Sequence, residues 1–397
     1  MDQKRSEFLA LMAAATAVGA IAIDTMLPAF GNVRHHFDLG DNPAAAALIV
    51  TVFIAGLGFG QLVYGPLSDR FGRKPIMRLG LAIYIVAGLA STFAPTFGIL
   101  LVGRFIWGLG SAAPRTMAQA IMRDRFSGDA LARAMAVIVT IFLIVPTLAP
   151  LLGQLVLNLG SWRYTFAVGP LFAFMVLVWT FRLDETLAEE NRRSIAPREI
   201  GRSVLIVLRT PSAVGSTVAL TFMTGAFLPY LGSSERIFSL IYGRGDEFAL
   251  WFALNAALMG GFTMTSAWVV KRIGSRLTRR IWLAALMTSA FAYLGIALAT
   301  GGVPGFFAFY LLTALVLAFE TAATPLLTSS ALEDVGHVAG TAASLVGAIS
   351  LIGGSLLSQF IDRAIGDTIT PFAVGFVIAS VVALTANEWA SRAQTQS

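Results

Sequence analysis

The sequence contains no cysteine, which excludes disulfides and thiolate metal sites and leaves the compartment open. Histidine is scarce. His35 and His36 are adjacent and His337 stands alone, so no metal-ligand spacing forms, and neither a metal nor any other cofactor is expected. A G-x-x-x-x-G-K-[ST] phosphate loop is missing, which argues against ATP-driven work in this chain. Neither paired carboxylates nor a nucleophile–base set recurs at a consistent depth, so no catalytic residue is assigned and a membrane-embedded enzyme is the distant alternative. Charge is sparse as well: Asp, Glu, Lys and Arg make up 13% of the chain, where a soluble domain carries roughly a quarter.

What fills the chain instead is apolar sequence, 56% of all residues. A bilayer span takes roughly 20 apolar residues. Twelve stretches qualify: 8–30, 43–64, 76–93, 97–122, 132–157, 164–181, 213–231, 248–270, 281–300, 304–328, 340–361 and 370–388. The first is expected to remain as an uncleaved span, because no small-residue cleavage site follows it. The one long hydrophilic interval, 182–210, carries Asp184, Glu185, Glu189, Glu190, Arg192, Arg193, Arg198 and Arg202. It divides the chain into halves of six spans, 1–181 and 211–397, and is expected to be a cytoplasmic linker with a short surface helix. It is too short to form an enzymatic domain.

The net charge of +6 and the pI near 10.0 would suit nucleic acid, but the basic residues sit in the wrong places for that partner. Of the 28 Lys and Arg, five (Arg34, Arg163, Arg236, Arg244 and Arg363) fall in loops on one side, and Arg104 and Arg115 fall inside a span. All the others lie in the tails and the opposite loops. By the rule that basic loops stay inside, both termini are cytoplasmic. No nucleic-acid partner is expected.

Residues 65–75 read G-P-L-S-D-R-F-G-R-K-P, a charged turn between spans 2 and 3. Asp69, Gly72, Arg73 and Lys74 resemble the signature of the major facilitator superfamily at this place. Lys271-Arg272-Ile273-Gly274-Ser275-Arg276 occupies the corresponding position in the second half, as two repeats about an axis along the membrane normal would require. The resemblance implies an all-α membrane protein with twelve transmembrane helices in two pseudo-symmetric six-helix bundles, the major facilitator fold. Within the first span, A-I-A-I-D-T-M-L-P-A-F places Asp24 just before Leu-Pro-Ala and is similar to the Bcr/CflA drug-resistance transporters. Span 4, with R-F-I-W-G-L-G-S-A-A, matches the family's arginine and glycines at Arg104, Gly108 and Gly110 and has Trp107 where the family has glutamine. Span 5 retains Pro146, Pro150 and Gly153 of a partial antiporter motif.

Charges inside a span cost about 2.5–3.5 kcal/mol each at a helix centre, so Asp24, Arg104, Arg115 and Glu320 are expected to face a cavity or a partner. The resemblance places their spans, 1, 4 and 10, around a central cavity. Asp24 and Arg104 lie roughly 9–10 Å from the outer ends of their spans at 1.5 Å per residue, and are expected either to couple proton movement or to form a static ion pair. Arg115 and Glu320 are expected to close an inner gate, or else to snorkel to headgroups and line water. Asp69, Arg73 and Asp124 are expected to hold the inner face together. Phe53, Trp107, Phe142, Phe227, Tyr230 and Asn255 are the candidate substrate contacts. The function so implied is a proton-coupled secondary transporter in a bacterial cytoplasmic (inner) membrane, acting as a monomer. It would export small drug-like or amphipathic compounds by alternating access, with protons, substrate and the lipid bilayer as its partners. The alternative is a major facilitator importer or exporter of one specific metabolite.

Overall fold

A computed structural model describes residues 3–40, 42–191 and 197–396; some further side chains, that of Phe142 among them, lie outside the described residues. Helix is the only regular structure among the described residues, as a bilayer demands of a chain that must satisfy its own backbone. The helices are α1 (Gln3–Asp24), α2 (Phe30–His36), α3 (Leu48–Phe71), α4 (Arg73–Thr92), α5 (Phe97–Arg125), α6 (Gly128–Leu157), α7 (Arg163–Trp179), α8 (Pro197–Arg209), α9 (Pro211–Arg236), α10 (Phe248–Ile273), α11 (Ser275–Ala299), α12 (Phe306–Glu333), α13 (Ala339–Ala364) and α14 (Thr370–Gln396). Among the described residues, eleven helical stretches are long and apolar enough to cross a membrane, and α6 adds the apolar stretch Ile144–Leu157. α8, a short amphipathic helix, lies in the hydrophilic interval.

By its contacts the chain forms two compact units, one of residues 1–40 with 52–197 and one of residues 41–51 with 198–397. In the first unit α4 packs on α5 and α7, and α1 packs on α6, α5 and α7. In the second, α11 packs on α12 and α14, and α9 packs on α13, α12 and α14. Each pairing of the first unit has its counterpart six spans later, so the units are internal repeats. Large apolar side chains such as Phe93, Leu159 and Phe360 are exposed on them, which fits a surface that meets lipid rather than water.

Two local structures differ from the sequence expectation. The charged turn 65–75 is almost entirely helical: α3 runs through Pro66 to Phe71 and α4 starts at Arg73. Only Gly72 lies between them, at φ 101°, a left-handed conformation that costs glycine little and other residues more. Gly274, between α10 and α11, repeats it at φ 83°. The first span, expected as one stretch over 8–30, breaks after Asp24; a 3-10 turn, Leu27–Ala29, and α2 follow. Pro28 is the cause. It has no N–H for the carbonyl four residues earlier, which is that of Asp24, and its ring would clash there.

Candidate functional site

Asp24 therefore sits at the interruption of a membrane helix, and several elements of the first unit grip that point. The Tyr84 hydroxyl on α4 donates to the Val18 carbonyl at 2.8 Å, and Arg104 Nη1 on α5 donates to the Ala22 carbonyl at 3.2 Å. Thr25 Oγ1 donates to the Ile21 carbonyl at 2.7 Å and reaches the Thr165 carbonyl on α7 at 3.4 Å. On α6, the helix that carries Pro146 and Pro150, a Cβ at Gly153 would overlap the Thr25 carbonyl oxygen. Gly153 thus lets α6 lie directly against the chain one residue past the acid.

Asp24 is 5% exposed and Arg104 0%. No ion pair joins them among the described residues. The guanidinium lies over the rings of Phe53 and Trp107, at 4.3 and 4.6 Å from their centroids, and Phe166 stands further off at 6.0 Å. A desolvated cation on aromatic faces gains about 2 kcal/mol or more, which offsets part of the cost of burying it. Phe53 and Trp107, expected as substrate contacts, are enclosed in this cage. The structure thus brings Asp24, Arg104, Phe53, Trp107 and Gly153 to one end of α1.

In the second unit, Tyr230 on α9 stacks on Phe252 of α10 at 4.9 Å and 9°, and Asn255 Nδ2 donates to the Tyr230 hydroxyl at 3.0 Å. Phe227 stands 6.3 Å from the Tyr230 ring. These three expected contacts therefore form one aromatic–amide group. Glu320 is buried in α12 of this unit, and Arg115 is half-buried in α5 of the other. Phe142 lies outside the described side chains.

At the Gly72 turn, Arg73 is the hub. Its guanidinium holds Asp69 one helical turn back, Ser68 Oγ at 2.7 Å, and Asp124 Oδ2 at the end of α5 at 3.2 Å. Glu185, to which the sequence assigned no role, completes the group. Its carboxylate accepts from the backbone N–H groups of Arg73 at 2.9 Å and Lys74 at 3.1 Å, and from those of Thr186 and Leu187 at 3.0 Å. Thr186 Oγ1 reaches Asp124 Oδ2 at 3.0 Å. A helix starts with orphan N–H groups and a positive dipole end. Gly72 has no side chain to cap α4, so Glu185, 112 residues beyond Arg73, does so. The only local signal was a helix start without Ser, Thr, Asp or Asn before it.

Partial burial pushes the Glu185 carboxyl up, but the backbone donors of Leu187, Arg73, Lys74 and Thr186 outweigh it and hold the group below its ordinary value. Its contribution to stability is then complete above the unfolded-chain pKa and is lost as pH falls through the folded one. Thermal unfolding of detergent-solubilised Glu185→Gln is expected to lie below wild type at neutral pH. The gap should close as the solution is acidified through the carboxylate range, and a gap of constant size at all pH would contradict the cap.

The sequence profile described as Major Facilitator Superfamily matches residues 6–358. Among curated proteins, the chain is 29% identical over 394 residues to a bicyclomycin resistance protein homolog of Haemophilus influenzae, covering 96% of this chain and 97% of that protein. It is 30% identical over 263 residues to the multidrug resistance protein MdtL of Escherichia coli, covering 66% of this chain and 64% of that one. In fold it resembles the crystal structure of a D-xylose–proton symporter, with a TM-score of 0.77 at 13% identity over 95% of this chain and 96% of the symporter.

Proposed function

The chain belongs to the major facilitator superfamily, and from that premise we propose that it is a proton-coupled exporter of small drug-like or amphipathic compounds. It is a multi-pass membrane protein and a secondary transporter; the direction, the driving ion and the substrate class are our reading. In that reading both termini are cytoplasmic, the chain works as a monomer, and Asp24 carries the proton.

The observation that supports the reading most is the buried carboxyl at the broken end of α1, where Arg104 is committed to the neighbouring Ala22 carbonyl and to two aromatic faces rather than to the acid. An acid locked in an ion pair would resist protonation; one without that lock is free to exchange its proton when the surroundings open. Arg104 fixes the backbone beside it and supplies a nearby positive charge. Resistance and multidrug resistance in the names of the relatives favour export of foreign compounds over uptake of a nutrient. Alternating access of two six-helix repeats would then expose Asp24 to each side in turn.

Cells expressing the protein are expected to retain less of at least one amphipathic compound from a test panel than cells with an empty vector. A protonophore should abolish the difference. Equal retention across the panel, or a difference indifferent to the protonophore, would overturn the assignment.

A further inference from the structure

The second unit contains buried charges that the export reading leaves without a task. At the end of α9, Glu235 and Arg236 are 6% and 4% exposed, although the sequence places Arg236 in a loop. Asp362, near the end of α13, is 1% exposed. Ser233 Oγ donates to Asp362 Oδ1 at 2.6 Å. Arg236 Nη2 donates to the backbone carbonyls of Asp362 and Ile365, at 3.4 and 2.6 Å, and so caps the carbonyl end of α13, where a cation is favoured. Ser239 Oγ donates to Glu235 Oε1 at 2.9 Å. Asp362 Oδ2, in contrast, is buried and has no hydrogen-bond partner among the described residues. Directly after Arg236, α9 widens into a π-helical turn, Ile237–Ile241, a geometry found mostly at functional sites.

An ionised carboxylate oxygen buried without a donor is costly. A proton on that oxygen removes the charge and leaves the Ser233 bond to the other oxygen intact. We propose that Asp362 is a proton-binding site of the second unit, separate from Asp24 in the first, which takes up and releases its proton on Oδ2. The Ser233 hydroxyl stays on Oδ1, and Arg236 holds the backbone carbonyl of the same residue, so the carboxyl is fixed in place while Oδ2 is left to carry the proton.

The neighbouring elements add little else that titrates. The segment Pro43–Ala47, which packs on both α9 and α13, carries no ionisable side chain. Arg363 and Asp367 are exposed. Arg244 pairs with Glu247 at 2.9 Å. The Tyr242 hydroxyl donates to the Pro304 carbonyl and that of Tyr310, on α12, to the Trp251 carbonyl. The outer turns of α14, from Thr370, bring none.

The inference concerns proton binding alone and stands whether or not the chain exports drugs. It is tested by infrared pH titration of the full chain in detergent, following the stretch of the protonated carboxyl. Asp24→Asn is expected to retain a titrating band that Asp362→Asn loses. Should Asp362→Asn fail to fold, Ser233→Ala takes its place: with the hydroxyl donor gone, the titration of that band should shift to higher pH. Spectra of Asp362→Asn that superimpose on wild type at every pH, a lost band that never varied with pH, or unmoved titrations in Ser233→Ala would each overturn the proposal.

Discussion

Asp24→Asn is expected to abolish uphill export while leaving the chain folded. Asparagine keeps the size of the side chain and cannot carry the charge that burial penalises. No hydrogen bond to the Asp24 side chain occurs among the described residues, so the amide forfeits none, and the grip on this end of α1 falls on the backbone carbonyls of Val18, Ile21 and Ala22 instead. Stability should therefore stay at the wild-type level or rise slightly. Transport should not. With one proton exchanged per substrate, each pH unit across the membrane sustains about a tenfold substrate gradient, about 1.4 kcal/mol. In the variant that gradient should fall to none, with facilitated exchange of substrate for substrate surviving. Measured accumulation in vesicles under an imposed pH gradient, beside a melting curve of the same preparation, checks both halves. Uphill transport at the wild-type level would remove Asp24 from the mechanism.

Gly108→Ala is expected to cost the first unit a large part of its stability. A Cβ at this position would overlap the carbonyl oxygen of Phe53, with the Phe53 carbonyl carbon and Cα close behind. The obstacle is backbone, which has no rotamer by which to move aside. Helices in a membrane associate by such close approach, and forcing them apart belongs at the upper end of overpacking costs, about 3 kcal/mol. It would also displace Phe53 from the Arg104 guanidinium. Gly98→Ala, near the start of the same helix and with nothing within 4 Å of an added Cβ, is the matched control. Folded yield and melting temperature should drop for the first and stay level for the second; equal behaviour of the two would contradict the packing argument.

The parts of the molecule that the sequence displays are those governed by short distances along the chain or by the solvent. Apolar runs show where helices cross, because lipid permits little else. Asp69 and Arg73 are four residues apart and therefore neighbours at the end of a helix and its turn. Other features depend on segments far apart in sequence. Glu185 caps α4 from across the first unit, and nothing around it in sequence names the helix it will meet. Arg236 ends an apolar run and so resembles a loop residue, yet its guanidinium finds carbonyls 126 and 129 residues away. The break after Asp24 is an intermediate case. Pro28 stands in plain view four residues on, but hydropathy alone treats 8–30 as one span, and only the backbone rule for proline divides it. Trp107, conspicuous in the sequence as a departure from the family's glutamine, turns out to face Arg104 from the same helix, a contact the one-turn spacing permits but does not require.

The account depends most on acid moving in as solute moves out. The direct measurement places purified protein in vesicles that trap a pH-sensitive dye and a loaded substrate identified from the panel, and follows both signals at once. Substrate movement should begin only when a proton gradient of opposite direction is imposed, and the dye should record proton flow in fixed ratio to the substrate, absent in vesicles without protein. Substrate that moves at the same rate with no gradient, or without any change in the dye, would contradict proton-driven export.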